Sequence, residues 1–130
     1  MRFRALLGAA VLGAAPLSGP LLAQQDPATP PAVAAKVALR GPAQGIAITE
    51  MRLVRRNDVL VVQADFTNME QPDRTVFYRF KWLDGVGNQV GDGEVWKQMR
   101  VLGLAQQTVK SVAPHAAAVD LRLEMNVESR

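Results

Sequence analysis

The sequence predicts an all-β fold, an antiparallel sandwich or small barrel of six or seven short strands within residues 46–130. From Ile46 onward apolar residues recur with a period close to two, the spacing of a strand with one dry face. Asn, Asp, Gly and Pro interrupt that pattern at intervals of roughly 8–12 residues, as hairpin turns do. No stretch in this region carries a helical pattern long enough for the crossover that a parallel sheet needs.

The chain opens with Met1-Arg2-Phe3-Arg4, followed by an uncharged apolar run to Ala15, helix breakers at Pro16, Gly19 and Pro20, and Leu21-Leu22-Ala23. Basic start, apolar middle and small-residue end are the marks of a cleavable export signal. Residues 1–23 are therefore expected to be a signal peptide, with cleavage after Ala23. The apolar run is too short to cross a hydrocarbon layer of about 30 Å. Residues 24–45 hold several prolines and many alanines but almost no large side chain. Such a segment buries too little apolar surface to offset its ordering entropy, so it reads as an extended, mobile linker. Within it, residues 33–39 favour a short helix by composition.

The strands follow in order. Residues 46–54 change the parity of their apolar residues, Ile46 and Ile48 sharing one face and Met51 and Leu53 the other. A bulge near Thr49-Glu50 reconciles the two halves, because one extra residue reverses every facing that follows. Arg56-Asn57-Asp58 has hairpin-turn composition. In residues 58–68 Leu60, Val62, Ala64 and Phe66 share a face. In residues 75–83 Val76, Tyr78, Phe80 and Trp82 do the same, alternating with Phe77, Arg79 and Lys81. Glycine-rich turns then bracket a short return strand at Gln89-Val90. Residues 96–101 and 106–112 are weaker strands, the second stopped by Pro114, which has no amide hydrogen for a ladder. Residues 117–127 alternate almost without fault. The inward set is Leu60, Val62, Phe66, Val76, Tyr78, Phe80, Trp82, Val119, Leu121, Leu123 and Met125.

Composition narrows the function classes. At 130 residues the chain has the length of a single domain. Of its 15 basic residues Arg2 and Arg4 lie in the leader, which leaves 13 against 12 acidic ones, so the processed protein is close to neutral and nucleic acid is not an expected partner. There is no cysteine, hence no disulfide, and no residue to carry a bacterial lipid anchor. Beyond the leader no apolar stretch is long enough for a transmembrane helix.

Asn68, then Tyr78-x-Phe80-x-Trp82-x-Asp84-x-x-Gly87, Trp96, and Ala113-Pro114 before an alternating last strand form a pattern. It resembles the YcfL family of bacterial envelope proteins, a domain of unknown function, over residues 58–128. The resemblance implies a periplasmic domain with an immunoglobulin-like β-sandwich. Members of that family are commonly lipoproteins, and the missing cysteine points here to a soluble periplasmic form. The family supplies no catalytic residues to transfer.

Candidate chemistry is sparse. His115 is the only histidine, and with Ser111 and Asp120 it could form a triad only if a strand–turn–strand brought all three to one side; no nucleophile elbow accompanies them. One histidine and no cysteine argue against zinc. Asp84, Asp92 and Glu94 flank glycines without the spacing of a calcium loop and read as acidic turn residues. No catalytic residue, cofactor or metal is expected. Trp82 shares parity with the core, whereas Trp96 follows a loop. Arg79, Lys81, Lys97 and Arg100 would flank an exposed Trp96 if their strands are neighbours, and the outward Phe77 either covers an edge or meets a partner. Phe77, Arg79, Lys81, Trp96 and Arg100 are thus the expected partner contacts, since aromatics beside arginine mark contact surfaces. The expected function is a non-enzymatic binding or accessory module of the cell envelope, with an envelope protein as partner. The competing expectation is a small-ligand carrier or enzyme with a pocket between the sheets, or a structural subunit of an envelope assembly.

Overall fold

The computed structural model describes residues 28–129, so the expected signal peptide and the first part of the expected linker lie outside the described residues. The elements run α1 (Pro31–Ala34), β1 (Val37–Leu39), β2 (Ile46–Arg56), β3 (Val59–Asn68), β4 (Arg74–Leu83), β5 (Lys97–Val101), β6 (Gln106–Val112) and β7 (Asp120–Val127). They form a β-sandwich: a four-stranded sheet in the order β1-β7-β4-β5 packs on a three-stranded sheet in the order β2-β3-β6. All neighbours pair antiparallel except β1 and β7, which are parallel.

The local sequence accounts for most of this. Arg56 pairs with Val59 across two residues, Asn57 (φ 48°) and Asp58 (φ 70°), both left-handed. That is the turn whose twist matches a hairpin, and Asn and Asp tolerate it better than most side chains. The β2–β3 register slips between Ile48 and Glu50, so Thr49 is the bulged residue anticipated there. The slip turns Met51 and Leu53 toward the same interior as Ile46 and Ile48. Leu60, Val62, Ala64 and Phe66 from β3 meet Val76, Tyr78, Phe80 and Trp82 from β4 and Leu121, Leu123, Met125 and Val127 from β7 in one continuous core. Aromatic rings form a chain along β4, with centroids 6.2 Å apart for Tyr78–Phe80 and 6.3 Å for Phe80–Trp82, and Phe66 joins at 5.4 Å from Tyr78. Such tilted and edge-on contacts stabilise beyond area burial alone.

Two expectations are corrected. Val119 does not face inward; it is half exposed, and Ala118 is buried instead. β7 begins only at Asp120, and the approach to it is held by Val119 N–H on the Leu83 carbonyl and by Arg55 Nη2 donating to the Ala118 carbonyl. The alternation therefore does not extend back through the turn. The second concerns the segment read as a mobile linker up to Gly45. Pro31–Ala34 form a helical turn, and Val37–Leu39 add to the edge of β7 in the register Val37↔Leu123 to Leu39↔Met125. Leu123 N–H donates to the Lys36 carbonyl and Arg40 N–H to the Met125 carbonyl. Val33 and Val37 pack against the core, and Lys36 bridges Asp120 at 2.6 Å. The open edge of β7 offers hydrogen-bonding groups that composition alone does not reveal.

Candidate functional site: an arginine-clamped tryptophan on the outer sheet face

Residues of odd number on β4 point away from the core, which sets Phe77, Arg79 and Lys81 on the outer face of the four-stranded sheet. On β7 the outward positions are Arg122, Glu124 and Asn126, and register places Phe77 beside Asn126 and Arg79 beside Glu124. On the other flank Phe77 lies beside Gln98 and Tyr78 beside Lys97, so Trp96 arrives one position further, next to Arg79. The Arg79 guanidinium carbon stands 4.6 Å from the Trp96 ring centroid and that of Arg40 stands 5.4 Å from it. Two cations therefore stand over one half-exposed indole, a contact worth about 0.5–1 kcal/mol each at exposed sites.

Glu124 holds the clamp. Arg79 Nε donates to Oε1 at 2.6 Å and Arg40 Nη2 to Oε2 at 3.5 Å. The hydrogen bond from Arg79 comes first among the causes that hold the Glu124 carboxyl below its ordinary value, opposed by burial and assisted by the charge of Arg40. Phe77, Trp96, Arg40 and Asn126 line a shallow depression of about 300 Å³. Its walls are aromatic, cationic and amide together, and it is open to solvent, a surface suited to contact and carrying no nucleophile.

Beside it lies a half-buried carboxylate. Glu94 Oε1 accepts the Phe80 backbone N–H at 3.1 Å; Oε2 accepts the Trp82 indole N–H at 3.2 Å and the Ser111 hydroxyl at 2.5 Å. β5 stops pairing with β4 at Tyr78, so the Phe80 N–H is left without a strand, and Glu94 takes that place. Because Ser111 belongs to the opposite sheet, the side chain ties the two sheets at their edge. Burial raises the Glu94 pKa, but the three hydrogen bonds and the nearby Lys97 charge outweigh it and leave the carboxyl below its ordinary value. Burial, with the Glu94 charge, pushes the Tyr78 phenol up.

Of the five expected contact residues, Phe77 and Trp96 share the depression and Arg79 clamps the indole. Lys81 lies further along β4, in a second depression with Arg79, Gln89, Asp92 and Glu94. Arg100 is drawn away: it sits opposite Thr75 and pairs with Asp73 at 3.4 Å. Sequence reasoning missed Arg40, Glu124 and Asn126. Glu124 and Asn126 were legible as outward positions of the last strand; Arg40 was not, because it falls in the segment read as linker. Ser111, His115 and Asp120 serve three different partners: the Glu94 carboxylate, the Ala117 N–H that His115 Nδ1 accepts, and Lys36. Asp84 caps its own turn through Val86 N–H and Asn88 N–H. Glu94, expected as a turn residue, is the staple just described. Among the described residues no group of three His, Asp or Glu side chains is placed to hold a metal, and no helix is long and apolar enough to cross a membrane.

A family model described as a protein of unknown function, DUF1425, matches residues 34–127. No curated protein matches the chain. Among solved structures, Campylobacter jejuni cj0090 superposes with a TM-score of 0.60 at 20% identity, over 72% of this chain and 98% of that one. A DUF1425 family member from Shewanella sp. pv-4 superposes with a TM-score of 0.55 at 24% identity, over 65% of this chain and 78% of that one. At these identities the likeness is one of fold.

Proposed function

Since the chain belongs to the DUF1425 family, whose members are described only as proteins of unknown function, we propose from its own surface that it is a non-enzymatic binding or accessory module of the bacterial envelope. In this reading it is a YcfL-like protein, exported by residues 1–23 and working in the periplasm. The observation that carries the binding role is the clamp: a half-exposed Trp96 held under the guanidinium groups of Arg40 and Arg79, with Phe77 beside it on a sheet face. Indole and guanidinium groups dominate the energetics of protein contacts, most of all when held rigid before binding. Glu124 provides that rigidity.

A photo-crosslinking residue at position 98, opposite Phe77, tests the role in the native envelope. A discrete protein adduct is expected, lost with Trp96→Ala and with Phe77→Ser and not formed from position 107 on the other sheet. An adduct that survives both substitutions defeats the reading. Export is tested separately by N-terminal sequencing of the periplasmic protein, which should begin at Gln24; a product beginning at Met1 defeats it.

One observation favours a second reading, a carrier for a small apolar ligand. Between the edge strands β1 and β2 lies an almost wholly apolar cleft of about 230 Å³, walled by Val37, Leu39, Ile46, Ile48 and Met125. Its hydroxyl, Thr29 Oγ1, already accepts the Ile48 N–H. Native mass spectrometry of the exported protein distinguishes the readings, since a carrier retains a stoichiometric small molecule.

A further inference from the structure

The outer face of the three-stranded sheet, opposite the clamp, has its own pattern. Alternation exposes Glu50, Arg52, Val54 and Arg56 along β2. Register then sets residues in rows across the strands. Val54, Val61 and Val112 form one row, and Arg52, Gln63 and Lys110 the next. Arg56 flanks the valine row on its other side. Arg52, Arg56 and Lys110 converge on a depression of about 230 Å³ floored by Val54, Val61 and Gln63, with no carboxylate in its lining.

The charges on this face are unbalanced. The nearest acidic row is already occupied: Asp65 is buried and accepts the Thr108 hydroxyl at 2.7 Å, and Glu50 bridges Arg52 at 2.6 Å. Arg56 and Lys110 have no ion-pair partner among the described residues. Val54 and Val112, on the two flanking strands of the sheet, are half exposed at 48% and 55%, and leave apolar surface in water beside those cations.

We infer that this face docks on an anionic lipid bilayer, with Arg56 and Lys110, the two cations of the depression without an ion-pair partner among the described residues, on the phosphate headgroups and the valine row at the boundary beneath them. Charge complementarity selects an anionic partner. A free phosphate ion gains nothing from a row of valines, whereas a bilayer interface takes cations and aliphatic groups together. The face lacks the aromatic side chains on which protein contacts concentrate, and these stand on the opposite sheet. The domain would thus lie with one sheet on the lipid and present the clamped tryptophan away from it.

Flotation of the exported protein with vesicles tests this. Phosphatidylglycerol–phosphatidylcholine vesicles should carry the protein at about 0.05 M salt and release it at about 0.5 M, where screening shortens to a few ångströms. Vesicles of phosphatidylcholine alone should not carry it. Arg56→Gln with Lys110→Gln should weaken partition about 30-fold, from the usual contribution of each cation near an anionic surface. Trp96→Ala should leave it unchanged, so failure here and failure of the proposed contact site are separable. Both exchanged side chains are exposed, and circular dichroism confirms that the variant folds. Equal partition of the double variant, no partition of the parent protein, full competition by millimolar inorganic phosphate, or binding of a polyglutamate peptide in place of vesicles would each overturn the inference.

Discussion

Arg79 lies 4.6 Å from the centroid of Trp96 while its Nε is anchored to Glu124 at 2.6 Å, so the cation on the indole is positioned from the far side by a carboxylate on a different strand. Arg79 and Glu124 are cross-strand neighbours in register. Glu124→Gln should release both arginines. Trp96 emission should shift, and stability should fall by about 1 kcal/mol, the scale of a partly exposed ion pair with a charged hydrogen bond. An unchanged emission spectrum would mean that the clamp does not depend on the carboxylate.

Glu94 joins two sheets through three donors, one of them the Trp82 indole in the core. Glu94→Ala leaves the Phe80 N–H, the Trp82 N–H and the Ser111 hydroxyl without their acceptor. Each unsatisfied buried group costs about 1–3 kcal/mol. Partial access of water to this edge keeps the sum nearer the lower end, and a loss of about 2–4 kcal/mol in chemical denaturation is expected. Ser111→Ala alone, which removes one donor and keeps the acceptor satisfied, should cost much less.

Acid should destabilise the protein over a defined range. Glu94, Asp120 and Glu124 are all held below ordinary values of 4.5, 3.8 and 4.5. For Asp120 the Lys36 hydrogen bond is the main cause, with burial opposing it. A carboxyl whose pKa is lower folded than unfolded leaves the unfolded chain binding more protons in acid. Its contribution is complete above the unfolded value and disappears as pH falls through the folded one. The thermal midpoint should be level from about pH 7 to about pH 5 and decline below about pH 4.5. A midpoint that rises on acidification would contradict the three assignments together.

Phe80 has no exposed surface and stands between Tyr78 and Trp82 in the aromatic chain. Phe80→Ala should cost about 3–5 kcal/mol, the range for a large ring lost from a packed core. Val119→Ala, at a position the alternation would also place inside, should be nearly neutral because its side chain is half exposed. The contrast between the two in urea unfolding locates where β7 begins.

Gly103 is required for a different reason. An added Cβ would fall on the backbone carbonyl of Gln71, so the β5–β6 turn and the β3–β4 turn touch main chain to main chain. Leu104 N–H donates to the Glu70 carbonyl in the same contact, with Leu104 itself at φ 58°. A bulky residue in that conformation is strained, and the docked turn holds it there. Gly103→Ala should destabilise by about 1–3 kcal/mol, the usual cost of overpacking, read by the denaturation midpoint.

Periodicity and turn chemistry made much of the sandwich legible. The Asn57-Asp58 hairpin, the bulge at Thr49 and the buried faces of β3 and β4 each depend on residues adjacent in the chain, where a twofold repeat and a left-handed turn leave direct marks. The contact site was legible in part for the same reason: Phe77 and Arg79 are outward because Val76, Tyr78 and Phe80 are inward. Three matters were decided elsewhere. β1 exists because the edge of β7, more than eighty residues away, offers unpaired backbone groups. Glu94 is a staple and not a turn residue because the β4–β5 pairing ends at Tyr78, two residues short of the Phe80 N–H. Trp96 is clamped because Arg40, which follows the end of β1, Arg79 on β4 and Glu124 on β7 are brought to one place. Alternation along a strand is a local consequence of backbone geometry, so the residues alone specify which side is dry. Which unpaired group or charge meets which partner is a matter of proximity between distant segments, and only the packed sheets decide it.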